Sequence, residues 1–515
     1  MAKRKTEAFP YRQRTILLLD LSREGHQVLP LSEEQAKRLL GGRSLSLGLW
    51  EMYVDWNRLK KDDYEEGNPI VIAIGSGSDT DVPFLDGFAV TTKSPVTGRV
   101  ETYAGEGAFT KVFGALGVSA IVIVGRRSRI THVAVKDQDV RYLTEEELHN
   151  LPVSMLCARY PSMHTVSIGP AGEQQVPASC IAVDGKLFGR AGFGVVFARK
   201  NIKVITFSVH EKERSSYATE EVGSLADWYG KFVKKCKVKS LIRYGQENGW
   251  IALHGFSDVT DGRLWALEKE KEITPVLALG ANLGLFNPKR IATLSDCCTQ
   301  MGLDPCSASI IILYALRQHL VQEKEAYRVL EGISLRRGAF MDLADGAPKD
   351  FYTIGNLEMA PFEIRSIPSM ALLESMDDDT VVWEDLVRKN HMMRGGELRF
   401  ARRAIDAQDL RFVMESLGLP YRLALPLASC PFSFAVNPYL SLSRLASALE
   451  GYPVTPKMLE RFAKDGWRRQ QELDRKVAWK SPDMVPQLFT TDPLDGNVVV
   501  LPRLAECYRT LRAKE

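Results

Sequence analysis

The stretch from Asp184 to Phe207, DGKLFGRAGFGVVFARKNIKVITF, concentrates the residue types that hold anions. Gly189, Gly192 and Gly194 surround Arg190. Glycines let backbone amides approach a ligand closely, and a guanidinium grips phosphate through two parallel N–H groups. The order GxxGxG reverses the dinucleotide fingerprint GxGxxG, and no clear strand precedes it in the required βαβ frame, so a nicotinamide site does not follow. Taken alone, the loop reads first as a tight turn with a solvated arginine.

Other chemistry-bearing residues are scattered. Cys157, Cys180, Cys236, Cys297, Cys298, Cys306, Cys430 and Cys507 form no CxxC pair and are too sparse for a disulfide framework. No cysteine lies between Cys236 and Cys297. Cys297 and Cys298 are adjacent on a helical pattern, so they point to different faces and read as core thiols. Asp377, Asp378 and Asp379 supply the oxygen donors of a hard-cation site, but their ordinary reading is a solvated turn with an N-cap before TVVWEDL. His391 and the basic run Arg399 to Arg403 read as surface features.

The elements that must position these residues change character near residue 210. Before it, RTILLLDLS, NPIVIAIGSG, GFAVTTKSP, SAIVIVGRR, THVAVKD, HTVSIGPAG and NIKVITFSV are short apolar runs bounded by turns, which predict strands. SEEQAKRLLGGRS predicts a helix capped by Ser32 and stopped by Gly41, and TEEELHNL predicts a second one from Thr144. After residue 211, EVGSLADWYGKFVKKCKV, NPKRIATLSDCCTQMGL, SASIIILYALRQHLVQEKEAYRVLEGI and TPKMLERFAKDGWRRQQELDRKVAW carry helical periodicity. The expected class is α+β: a β-rich domain over 1–210, then helical domains over 211–345 and 346–515. No short-period repeat is visible.

The 515 residues are 45% hydrophobic and 25% charged, with a net charge of +3. That balance argues against a dedicated nucleic-acid binder. No apolar run reaches membrane-spanning length. The basic start MAKRKTEAFPYRQR is not followed at once by an apolar segment, so it does not read as a secretory signal, and a cytoplasmic protein is expected.

GFAVTTKSPVTG, GALGVSAIVIVGRR, SIGPAGEQQV and the glycine loop occur in that order and together resemble the N-terminal domain of the aldehyde ferredoxin oxidoreductase family. The resemblance continues through LALGANLGLFNPKRI, MGLDPCSAS, LASALEGYPVTPKMLERF and VPQLFTTDPLDG. Such enzymes hold tungsten or molybdenum between two pterin dithiolenes beside a four-iron cluster. The resemblance implies that Arg190, Ala191 and Gly192 form a pterin-contacting loop. It implies that Gly302, Leu303 and Asp304, in TQMGLD, form one pterin motif, with Thr299 in place of its leading aspartate. The second motif aligns with LPLASC, where only Cys430 remains. The three cluster cysteines expected before LALGAN are missing, and one thiolate cannot hold a four-iron cluster, so no iron–sulfur cluster is expected. Glu272 matches an acidic family position and is the candidate base, its alternative being a surface carboxylate within EKEKE. No histidine lies between His319 and His391.

Two expectations follow. One is a tungsten- or molybdenum-pterin oxidoreductase acting on a small aldehyde or oxo substrate, with an outside electron-transfer subunit. The other is a catalytically inactive paralogue serving as a structural or regulatory subunit, oligomeric with an active relative.

Overall fold

A computed structural model describes residues 14–59, 64–80, 82, 84–137, 139–209, 273–285, 287–349, 351–361, 367–376, 378, 380, 382, 396–421, 424, 437–482 and 500–515. Every apolar run read as a strand is one. The first sheet holds β1 (Thr15–Asp20), β2 (Gly25–Pro30), β3 (Ile70–Ile74), β4 (Gly87–Lys93), β5 (Val100–Glu106) and β6 (Ala120–Val124), in the order β2-β1-β6-β3-β4-β5. The second holds β7 (Thr131–Lys136), β8 (Asp139–Thr144), β9 (His164–Ile168), β10 (Ile181–Val183), β11 (Lys186–Phe188) and β12 (Ile202–Ser208), in the order β8-β7-β12-β9-β10-β11.

These two orders are the same order. Adding six to each strand number of the first sheet gives the second, and the directions agree as well. β1 with β6 and β7 with β12 are the parallel pairs, and every other neighbour is antiparallel. A short helix joins β5 to β6 (Thr110–Leu116) and another joins β11 to β12 (Phe193–Arg199). The N-terminal region is therefore one frame built twice, a long-period repeat that the sequence does not display.

The sheets share a core: Leu17, Ile72 and Val90 of the first meet Val133, Val166 and Ile205 of the second. The opposite face of the first sheet, with Ile16, Val71 and Val122, is covered by Leu45, Leu49 and Trp50 of the Gly42–Tyr53 helix and by Phe412 and Leu473 from far along the chain. Burial on both faces is why IVIAI in β3 is continuously apolar.

From residue 273 on, the described residues are mainly helical, and residues from Val276 to Tyr508 contribute to one core. Asn287, Asp304, Asn437 and Thr455 each cap a helix with a proline just inside its start. Three sequence expectations are corrected here. SASIIILYALRQHLVQEKEAYRVLEGI is two helices, Pro305–Arg317 and Tyr327–Ser334, because the chain turns at His319 (φ 55°) with Leu320 N–H bonded back to Ala315. TEEELHNL forms only a 3₁₀ turn, Glu146–Leu148, since Thr144 is spent pairing β8 with Thr131 of β7. Ser32 does cap Glu33–Leu39 through a capping box with Gln35, but that helix ends at Leu40 (φ 47°), and Gly41 is instead the N-cap of the unforeseen Gly42–Tyr53 helix. EVGSLADWYGKFVKKCKV lies outside the described residues.

Candidate functional site

The glycine loop begins as a hairpin, with Asp184 and Gly185 both at positive φ between β10 and β11. Past β11 the chain returns to left-handed backbone at Gly189 (φ 77°), Ala191 (φ 54°) and Gly192 (φ 75°), and then enters the Phe193–Arg199 helix. Ala191 is the strained member, because its Cβ disfavours this conformation. Its carbonyl is held by the Ser94 hydroxyl at 2.7 Å. A Cβ on Gly192 would sit 2.9 Å from Pro95. The loop is thus pinned to the turn after β4, in the KSPVTG segment.

This geometry turns Arg190 toward the helical region. Its Nε donates to Asp304 Oδ2 at 2.9 Å and its Nη2 to the Glu358 carbonyl at 2.6 Å. The two charged side chains are 12% and 6% exposed, so the ion pair is largely out of water. Asp304 caps the Pro305–Arg317 helix, accepting from Cys306 N, Ser307 N and Ser307 Oγ at 3.2, 3.1 and 2.9 Å. With Arg190 it has four donors, about what a carboxylate can take. Burial alone would pull the Arg190 pKa down; the Asp304 charge opposes this, and the group stays cationic. Burial also pushes the Cys180 and Cys306 thiols up, with the Asp304 charge adding to it, so they are neutral and unreactive. It raises the Glu358 carboxyl above its ordinary range.

Gly302 and Leu303 act through backbone. Gly302 (φ 74°) ends the Pro288–Met301 helix, and its carbonyl accepts from Cys180 N at 2.9 Å. Leu303 bridges Ser179, and Asp304 N donates to Ala178 O. Gly169, directly after β9, packs so closely that its Cβ would lie 2.3 Å from Met301 O. The structure brings Arg190 against Asp304 and sets Gly302 and Leu303 on the Ala178–Cys180 segment, while Ala191 and Gly192 lie against the turn after β4. Glu272, Cys430, His391, Asp377 and Asp379 lie outside the described residues. Asp378 accepts from Thr380 N–H at 2.9 Å and Gln408 at 2.6 Å, the pattern of a turn.

Sequence reasoning missed a second place built the same way. Gly418 (φ 94°) follows the Gly396–Leu417 helix, and Gly75, directly after β3, would put a Cβ 2.1 Å from Gly418 Cα. The Gly418 carbonyl accepts from Gly87 N at 3.0 Å, as Gly302 does from Cys180. β3, Gly75 and β4 correspond to β9, Gly169 and β10 in the doubled frame, so ESLGLP (Glu415–Pro420) is the structural counterpart of TQMGLD. The signal was there: a Gly-Leu pair closing a helix, with an acid three residues earlier. Here Glu415 pairs with Arg43 of the Gly42–Tyr53 helix and with Arg411, the latter at 2.8 Å.

His132 bonds Glu145 at 2.8 Å and Thr206 at 2.7 Å, the outline of a nucleophile–base–acid chain. Thr206 is only 1% exposed within the second sheet, so no substrate reaches it. Among the described residues no group of three or more His, Cys, Asp or Glu side chains is arranged to hold a metal ion. None of their helices is long and apolar enough to cross a membrane.

A twofold-repeated sheet frame gripped by glycine-ended helices defines a recognisable class. Residues 16–209 match the family model for the aldehyde ferredoxin oxidoreductase N-terminal domain. The chain is 25% identical over 423 residues to a tungsten-containing aldehyde ferredoxin oxidoreductase of Pyrococcus furiosus, covering 67% of this chain and 69% of that one. It is 32% identical over 196 residues to the enzyme of the same description from Thermococcus kodakarensis, a match spanning 32% of that relative. The active-site complex BamBC of benzoyl coenzyme A reductase, solved with 1,5-dienoyl-CoA, matches the fold at TM-score 0.77 and 14% identity, over 97% of this chain and 94% of that one. Residues 16–209 thus carry the match to the aldehyde ferredoxin oxidoreductase N-terminal domain, and the likeness to the tungsten-containing enzyme of Pyrococcus furiosus extends over 67% of the chain.

Proposed function

We propose that this chain is a non-catalytic member of the family, working as a structural or regulatory subunit of a redox complex. The observation that carries the reading is the closed set Arg190–Asp304–Glu358. A pterin phosphate needs an available cation, and pterin N–H groups need an available acceptor. Arg190 is instead engaged by Asp304 and the Glu358 carbonyl, and the Asp304 oxygens are taken by four protein donors. The described residues at this point therefore do not fit a tungsten or molybdenum pterin. The absence of cysteine between Cys236 and Cys297 supports the same reading, because electrons would have no cluster to leave by. The fold neighbour is named as a complex of more than one subunit, which supports pairing with an active relative.

One observation favours the alternative, a pterin-dependent oxidoreductase acting on an aldehyde or oxo group. Strained left-handed backbone at a residue such as Ala191 is often kept for a ligand. Metal and pterin analysis of protein purified from a tungsten- and molybdenum-replete host separates the two. Neither metal nor pterin is expected in stoichiometric amount. One tungsten or molybdenum per chain would overturn the proposal and establish the alternative.

A further inference from the structure

A cavity of about 70 Å³ lies between β5 and the Gly42–Tyr53, Gly396–Leu417 and Pro456–Lys476 helices. Its wall carries Trp467, the arginines Arg43, Arg99, Arg411 and Arg512, and the acids Glu101, Asp378 and Asp409. The acids are satisfied by protein. Asp409 accepts from Arg512 Nη1 at 2.7 Å, Asp378 from Gln408 at 2.6 Å, and Glu101 from the Thr97 hydroxyl at 3.0 Å. The donors are not. Arg43 Nη2, Arg512 Nε and Trp467 Nε1 are each buried without a hydrogen-bond partner. The Arg512 side chain is 2% exposed, so bulk water does not relieve it. A buried donor left unmade is costly, and three beside one void are rare in a folded protein.

The unmet capacity of this wall is thus entirely for an acceptor. We propose that the cavity binds a short-chain monocarboxylate, its carboxylate taken by Arg43, Arg512 and Trp467 and its alkyl end set toward Phe412 and Leu47. Three features select that chemistry. Two of the donors are guanidinium N–H groups, which bond a carboxylate more strongly than a neutral acceptor. Four arginines face three acids in that wall, and the one positive charge left over matches a singly charged ion better than phosphate. The volume is about half that of an engineered cavity of about 150 Å³ that admits benzene, so only a few heavy atoms fit. Leu47, Phe412 and the Trp467 ring, which lies 4.7 Å from the Arg512 guanidinium, give the apolar side. The proposal rests on these three donors and does not depend on whether a pterin is bound.

The test is calorimetric titration of the full-length chain with acetate and propionate at constant ionic strength, with chloride and phosphate as controls. Saturable binding of the carboxylates, and none of phosphate, is expected. Trp467→Phe keeps the ring beside Arg512 while removing the N–H, and should weaken binding about tenfold. In wild-type protein labelled at the eight tryptophan indoles, one N–H resonance should move with acetate occupancy. No saturable heat and no moving indole signal would mean that the cavity holds water only. Undiminished binding by folded Trp467→Phe would place the carboxylate elsewhere. Equal binding of phosphate would leave a general anion site and overturn the carboxylate assignment.

Discussion

The helical region grips the N-terminal frame at two corresponding points, and the points differ in how they handle charge. At Gly169 and Gly302 the acid, Asp304, lies two residues beyond the glycine and is neutralised by Arg190 from the glycine loop. At Gly75 and Gly418 the acid, Glu415, lies three residues before the glycine and is neutralised by Arg43 and Arg411. Backbone contact is common to both, while the ion pair is rearranged. The glycine notch is therefore the constant part of the design and the charge pairing the adjustable part.

The notch is the place to break that comparison hardest. Gly75→Ala would drive a Cβ to 2.1 Å from Gly418 Cα, and Gly169→Ala would drive one to 2.3 Å from Met301 O. Each should cost about 3 kcal/mol or more, because backbone on both sides cannot yield as a side chain can. Thermal unfolding should show both variants well below wild type. A mild effect at either would show that its joint does not hold the two regions together.

Asp304→Asn tests the charge at one joint while keeping an acceptor for the helix cap. It leaves the Arg190 cation buried without its counter-ion, at a cost of about 3 kcal/mol. Arg190→Met with Asp304→Asn should recover part of the loss. A double variant as unstable as the sum of the singles would mean that the pair contributes no coupling.

Gly98→Ala sharpens the argument from the opposite side. Gly98 has φ 75° like Gly302 (φ 74°), whereas Gly75 and Gly169 are not left-handed, and nothing lies within 4 Å of a Cβ added at Gly98. Only the conformational penalty remains, about 1 kcal/mol. An effect as large as that of Gly302→Ala, where the added Cβ would also meet Gly169 N at 2.8 Å, would mean that backbone conformation and not close packing sets the cost there.

The smallest change expected is in pH dependence. Burial raises the folded-state carboxyl of Glu358 above its ordinary value of 4.5, so the folded state binds a proton more tightly than the unfolded chain. Stability from that proton is full below about pH 4.5 and is lost as pH rises through the raised value. Glu358→Gln should match wild type at low pH, and become the more stable of the two as pH rises toward neutrality. Parallel unfolding curves at all pH values would refute this.

Strands buried on both faces were legible because IVIAI and AIVIV admit no other reading. The edge strands β2, β5, β8 and β11, and the short inner strand β10, were not. GHQVLP of β2 and DVRYLT of β8 are polar where solvent meets them, and β10 and β11 are three residues each. Arg190 and Asp304 were legible as members of one site through motif resemblance, but their bond to each other was not, since spacing along a chain carries no record of contacts 114 residues apart. The doubled frame stayed hidden because equivalent strands such as TILLLD and THVAVK share pattern without sharing residues. Its one trace is a glycine after each third strand, in AIGSG and SIGPAG.

That duplication bears on how such a chain changes over generations. Two copies of one scaffold, each fastened by its own notch, give selection two separate targets. The glycine loop belongs to the second copy and the Arg43 contact to the first, so substitutions that retire the chemistry of one leave the anchorage of the other untouched. Loss of one fastening therefore leaves the other in place, and the frame has no single point whose failure frees both sheets.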